Sequence, residues 1–535
     1  MRGETQRSLI LILGLLNLAV LGGIALLLLP PTEKEPEDQV RRRFVAAGAD
    51  EDPICRDCNL LMISLDIFRP DHLPCFGYDR RTAPNICDMA RRGTLFDSFI
   101  VHSYMTPISQ MSIFTGRYPS NNGFISFASQ LPPEVPYFPE ALSAAGYQTV
   151  AMGSSFEVMA DMSSFHSRRA RFRRDGLNPG LSFGRGFDRF VFTGNRNVPS
   201  DAITWLREQA EEPFFLWLIL GTLHWPYGAT GDPMQKDKFV APGYEGDLDR
   251  FPNLGFKVLS RIYKNRLHSL RDGESTSLDA TDLEFIRARY DFGLWTVDRF
   301  IGDLMESIPD DLLRNTVIVL HGIHGEDLGE HGYFGHYDIY DTEVRSAVVV
   351  LNPKHRVEAR RVREQVEGID LAPTLLEILD LDPLPGIDGE SFVEALKTGR
   401  GDPDRAAFFE RIPLWENIFR HRSQVPLEFT SGINELLDQD VVGDTGMRTG
   451  RWKLLHRKAR HIEKEVSWWT YLSGEPLQRP EWELYDLAND PREQRNVIAD
   501  HPHVSEELRR RLTAWEESLD SGHYDQPRPS VEEAP

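Results

Sequence analysis

From Asn59 onward the chain alternates short apolar runs with longer amphipathic stretches. Leu60–Leu65, Thr149–Met152, Phe214–Leu220, Thr316–Leu320 and Ala347–Leu351 are short, continuous and rich in β-branched or aromatic residues. That texture predicts strands buried on both faces rather than helices. Pro139–Ala145, Asp201–Gln209 and Leu283–Met305 carry apolar positions at helical spacing between them. The alternation predicts an α/β class with a mostly parallel sheet and helices on both faces. In such folds ligands bind at the C-terminal ends of strands.

Both ends of the chain depart from this pattern. Leu9–Leu29 is a 21-residue run without a charge. At about 1.5 Å per residue it would span roughly 30 Å, the thickness of a bilayer core. A cleaved signal has a shorter apolar core and a small-residue cleavage site. This run ends instead in Leu26–Leu29 and Pro30-Pro31, so it reads as one N-terminal transmembrane helix, with a removed signal as the alternative. Arg2 and Arg7 before it, against Glu33, Glu35, Glu37 and Asp38 after it, favour residues 1–8 in the cytoplasm and an extracytoplasmic body, periplasmic or extracellular. Residues 30–58, rich in Pro and charge, read as a tether.

Past about Arg400 the runs shorten and tryptophans gather, predicting a smaller C-terminal α+β subdomain over 401–519. It closes on a helix at about Val504–Leu519, with Leu508, Leu512 and Trp515 at helical spacing. The main α/β domain then covers 59–400, and 520–535 reads as a disordered tail.

Composition removes several function classes. Lys+Arg 60 against Asp+Glu 82 gives a net charge of −22 over 535 residues. With a pI near 5.2, this argues against nucleic acid as a partner, since phosphate binding relies on Lys and Arg. A mean hydropathy of −0.38 and one long apolar run exclude a multi-pass transporter. Cys55, Cys58, Cys75 and Cys87 cluster near the start of the body. Local disulfides and buried thiols are both open readings; no close second Cys/His pair completes a zinc set.

The polar residues that follow the apolar runs suggest chemistry. Asp66 follows LLMISL, Thr106 lies in SYMTPISQMSIFTG with Ser109 one turn on, and His224 lies in LGTLHWPY. His324, Glu326, His331 and His336 lie in HGIHGEDLGEHGYFGH. One acid, one hydroxyl and several imidazoles at strand ends suit a metal-assisted Thr nucleophile.

In sequence order these segments resemble the sulfatase family of the alkaline phosphatase superfamily. NLLMISLDIFRPDHLPCFGYDRRTAPNI (59–86), FTGRYPSNNG (114–123), NTVIVLHGIHGEDLGEHG (315–332), IDLAPTLLEILDL (369–381) and WELYDLANDPREQRNV (482–497) carry the likeness. The resemblance implies an alkaline-phosphatase-like fold and one or two divalent metal ions (Ca, Mn or Zn). It implies Asp66, Thr106 and His324 as metal ligands, Thr106, His224 and His336 as catalytic groups, and Ser109 and His224 as substrate contacts. The substrate would be an anionic ester on a glycan, lipid head group or small molecule, met by a body held at the membrane through Leu9–Leu29.

The sequence departs from the family's pattern where chemistry happens. Thr106 occupies the position of the Cys or Ser that sulfatases oxidise to formylglycine, and a secondary alcohol cannot give that aldehyde. Gln110 replaces an Arg, Ser154 a Lys, Ile323 an Asp, and Ile67 the second Asp of a pair. Superfamily members that cleave phosphodiesters use Thr directly, so a hydrolase or transferase preferring phosphoesters over sulfate esters is one expectation. A catalytically impaired homologue that binds or scaffolds is the other. His321, two residues before Ile323, is a candidate substitute ligand. Arg168–Arg174 could hold a polyanion, and Trp468, Trp469 and Tyr471 could stack on a sugar.

Overall fold

The computed structural model describes residues 53–125, 129–154, 182–194, 197–228, 231–246, 248, 278–331, 334–355, 360–411, 443–458 and 480–519. The apolar run 9–29, most of the tether, the arginine run at 168–174, the aromatics at 468–471 and the tail lie outside them. Among the described residues no helix is long and apolar enough to cross a membrane.

The main sheet uses β1 (Asn59–Leu65), β2 (Thr94–Ile100), β3 (Gln148–Gly153), β4 (Arg189–Phe192), β5 (Phe214–Leu220) and β6 (Thr316–Gly322), with β9 (Arg345–Leu351), β10 (Arg360–Val362) and β11 (Val366–Glu367). A two-strand ribbon, β7 (Asp327–Leu328) and β8 (Phe334–Gly335), follows β6. The order is β10-β2-β9-β6-β1-β5-β3-β4, with β11 also on β2. Every residue of β1, β5 and β6 is buried, as their unbroken apolar runs require for central strands covered on both faces.

The sheet is parallel from β6 through β4, while β9 runs antiparallel to β6 and β2 antiparallel to β9. An apolar run such as Ala347–Leu351 carries no sign of its direction. Nor did periodicity expose β2: Asp97 and Ser98 interrupt it where the register to β9 shifts. Asp97 receives the Arg361 guanidinium there at 2.6 Å.

Seven helices matter for the site. They are α1 (Pro84–Arg92), α2 (Thr106–Thr115), α3 (Phe138–Ala144), α4 (Val198–Glu208), α5 (Ala280–Ser307), α6 (Leu371–Ile378) and α7 (Pro502–Ser518). All ten residues of α2 are buried. Its Ile108, Met111 and Phe114 join Trp217, Val319 and Val348 in the central core, and Phe114 meets the Trp217 ring edge-on at 4.7 Å. Gly116 ends α2 with φ of 63°, a left-handed stop that glycine adopts without strain.

A second sheet, β12 (Ala407–Arg411), β13 (Asp444–Arg448), β14 (Trp452–His456) and β15 (Trp482–Asp486), is antiparallel throughout. Leu508, Leu512 and Trp515 of α7 pack on its Met447, Leu454 and Leu484. Ion pairs tie it to the main body: Lys453, fully buried, reaches Asp341 and Glu493 at 2.9 Å each, and Arg457 reaches Asp338 at 2.5 Å. Of the two readings open for the cysteines, the structure selects disulfides, Cys55–Cys58 and Cys75–Cys87.

Candidate active site

Strand register assembles the cluster. Leu65 pairs with Leu220 on one side and Gly322 on the other, so the chain leaves β1, β5 and β6 at one level. Asp66, the Gly221–His224 turn and Ile323–His324 therefore emerge together. Backbone bonds continue the ladder past the strand ends: Asp66 N–H to Leu220 O (3.1 Å), Ile323 N–H to Leu65 O (2.8 Å) and Phe68 N–H to His324 O (2.7 Å).

Thr106 enters from the other side as the first residue of α2, with Met105 as N-cap and no side-chain cap bond. Its Oγ1 lies 3.1 Å from Asp66 Oδ1 and 3.0 Å from His324 Nε2. His324 Nε2 is itself 3.1 Å from Asp66 Oδ1. His324 Nδ1 lies 2.8 Å from the Gly325 carbonyl. That carbonyl accepts only, so Nδ1 carries a proton, and Nε2 faces the ionised Asp66 carboxylate as a second donor. Backbone N–H groups at the start of α2 and the positive end of its dipole face the same hydroxyl, a setting that favours anionic groups.

Burial alone would raise the Asp66 carboxyl. The hydrogen bond and charge of His324 outweigh it and hold Asp66 well below the usual carboxylate range. His324 moves the opposite way: burial lowers it, but the Asp66 hydrogen bond and charge leave it raised overall. His336 stands 4.6 Å from the His324 ring and 5.3 Å from His224, ring centre to centre. Glu326 Oε1 lies 3.1 Å from His336 Nδ1, and burial pushes Glu326 up to about 8.

Asp66, Thr106, His224, His324 and His336 thus converge as the strand-end reading expected. Ser109 does not present its proton to a substrate: it donates to the Ile323 carbonyl at 2.6 Å, pinning α2 to the loop after β6. His321 is turned away from the cluster, its Nε2 2.7 Å from Ser64 Oγ, which also accepts from Trp217 Nε1. His331 stacks on Tyr340 at 3.7 Å and pairs with Asp327, bracing the loop.

Two contributors escaped the motif reading. Glu326 was visible in the HGE run but had no role until His336 appeared beside it. Ile67 holds φ of 45°, rare for a β-branched residue and costly by about 1–3 kcal/mol. Tyr290 of α5 stabilises that turn by donating to Ile67 O at 2.7 Å, and the turn directs Asp66 at Thr106.

Sulfatases generally use a divalent ion, calcium. Calcium takes about six to eight oxygen ligands. Here one carboxylate, one hydroxyl and one imidazole meet, with buried Ile67 and Ile323 beside them. Among the described residues no three His, Cys, Asp or Glu side chains form a metal-ready group. The residues do not fit calcium, and no step below passes through an ion.

The mostly parallel α/β sheet with its small antiparallel companion is of the alkaline-phosphatase-like class, the fold of the solved structures it resembles. Residues 58–381 match the Sulfatase family profile, and the chain belongs to that family of hydrolases. Arylsulfatase K of Mus musculus is 22% identical over 446 residues, spanning 80% of this chain and 74% of its own. A solved structure in complex with its substrate D-glucosamine-2-N,6-O-disulfate superposes with TM-score 0.60 at 20% identity, covering 89% of this chain and 100% of that one. A phosphonate monoester hydrolase of Agrobacterium radiobacter gives TM-score 0.62 at 20% identity, covering 86% and 96%.

Proposed function

We propose that this chain is an ester hydrolase or transferase that uses Thr106 directly as nucleophile and prefers phosphoesters to sulfate esters. One observation carries the reading: Thr106 Oγ1 sits between Asp66 and His324 at hydrogen-bond distance, at the first turn of α2. In the step proposed, the Thr106 proton passes to Asp66 Oδ1, to which Oγ1 donates, while the Oγ1–P bond forms and the bond to the leaving oxygen breaks. His336 or His224 supplies the leaving group's proton. Water, or a second alcohol in transfer, then cleaves the phosphothreonine. A threonine ester has no second hydroxyl with which to expel sulfate, hence the phosphoester preference. The sulfated sugar in one structural neighbour supports an anionic ester on a glycan as substrate. Two disulfides support an oxidising, extracytoplasmic compartment for a body anchored through Leu9–Leu29.

The test is turnover of bis-p-nitrophenyl phosphate and p-nitrophenyl sulfate by the purified full chain, with intact mass after a rapid quench. The expected result is faster phosphodiester cleavage, a phosphate adduct on Thr106, and a loss of roughly 10³-fold or more in Thr106→Ala. Equal activity in wild type and Thr106→Ala would overturn it. A second reading, a binding or scaffolding homologue, is favoured by Gln110, Ser154 and Ile323 at positions where the family carries charge. It predicts no turnover and no adduct with either ester.

A further inference from the structure

The replacements around Asp66 remove charge of both signs. Ile67 and Ile323 stand for two carboxylates, Gln110 and Ser154 for two cations, so the formal change is zero. Losing one sign alone would leave a buried charge unpaired, which proteins tolerate poorly.

Among the described residues, the groups beside the lost ligands already carry other bonds. Backbone carbonyls can ligate calcium, and those of Ile67 and Ile323 stand at the two replaced positions. Each already accepts a side-chain hydrogen bond: Ile67 O from Tyr290 at 2.7 Å, and Ile323 O from Ser109 at 2.6 Å. Asp66 Oδ1 already meets Thr106, His324 and the Ile67 N–H at 3.1 Å, and Glu326 Oε1 is turned to His336 Nδ1. On the cationic side, Gln110 is fully buried and neither amide atom finds a hydrogen-bond partner among the described residues. An amide left this way suits a place whose former acidic neighbours are gone. Ser154 Oγ accepts from the Gly221 N–H at 3.2 Å and serves the strand ends.

We infer that this chain binds no calcium at the Asp66–Thr106–His324 cluster, because Ile67 and Ile323 have displaced the ion together with the cations that balanced its ligands. This holds whether the protein turns over an ester or only binds one.

Full chain stripped with EDTA is titrated with calcium chloride by calorimetry and by thermal melting. Wild type is expected to give no saturable heat and no shift in melting temperature. The double variant Ile67→Asp/Ile323→Asp is expected to gain a calcium-dependent rise of roughly 5 °C or more. A one-site heat in wild type that Asp66→Asn abolishes would overturn the inference. So would a folded double variant that calcium leaves unmoved. The wild-type titration decides the matter even if the double variant does not fold.

Discussion

Ser109→Ala separates an architectural hydroxyl from a substrate-binding one. Ser109 Oγ and the Ile323 carbonyl are 2.6 Å apart and both residues are fully buried. The variant leaves that carbonyl without a donor and without access to water, a cost of about 1–3 kcal/mol. Full burial at both ends places it near the middle or top of that range, about 2 kcal/mol. At about 2–4 °C per kcal/mol for large domains, melting should fall by roughly 4–8 °C. Near-ultraviolet circular dichroism during a thermal scan at fixed pH would register it. Because the bond ties α2 to the loop carrying His324, kcat should fall while KM stays close to wild type. An unmoved melting temperature with a raised KM would mean that Ser109 holds substrate, and the structural account of it would be wrong.

Other perturbations probe the frame around the site. Lys453→Met removes the cation between Asp341 and Glu493, both 2.9 Å away, leaving Glu493 buried without its cation while Arg448 still reaches Asp341 at 3.1 Å. Urea unfolding should show a loss of roughly 3–5 kcal/mol, and a loss below about 1 kcal/mol would contradict the pairing. Asp298 caps α1 by accepting from Ile86 N–H at 2.8 Å, and burial pushes its carboxyl up to about 7. The folded state therefore holds a proton that the unfolded chain releases near 3.8. This group's contribution to stability is full below about pH 4 and is lost as pH rises to about 7, by at most about 1.4 kcal/mol per pH unit. Asp298→Asn keeps an acceptor and should flatten that part of the stability–pH curve; an unchanged slope would refute the assignment.

How much of this was legible in the sequence depended on what each segment had to satisfy. β1, β5 and β6 had to be buried on both faces, which writes itself as an unbroken apolar run, and the polar residues just past them had to be Asp66, His224 and His324. The interrupted strand β2 was not legible, because Asp97 and Ser98 serve its irregular register. Roles set by a partner far along the chain were hidden as well. Ser109 sits 214 residues from the carbonyl it holds, and Tyr290 sits 223 residues from Ile67. His321 looked like a possible ligand by position alone; its partner Ser64 lies across the β1–β6 ladder.

Energetics separate the two functional readings more sharply than the missing charges do. Asp66 is buried and ionised with His324 3.1 Å away, and the turn that directs it forces a β-branched residue to φ of 45°. Buried ion pairs can often be exchanged for aliphatic side chains without loss of stability, and this chain has aliphatic residues on both sides of the pair, at Ile67 and Ile323. A module that only scaffolds has no use for the strained turn, for a carboxylate directed at a threonine, or for that threonine at a helix N-terminus. A chain that moves a proton from Thr106 needs all three. The double variant Asp66→Leu/His324→Leu, which exchanges the whole pair, distinguishes these cases: it should leave melting nearly unchanged while abolishing any turnover. A drop of several degrees would instead make the pair part of the architecture.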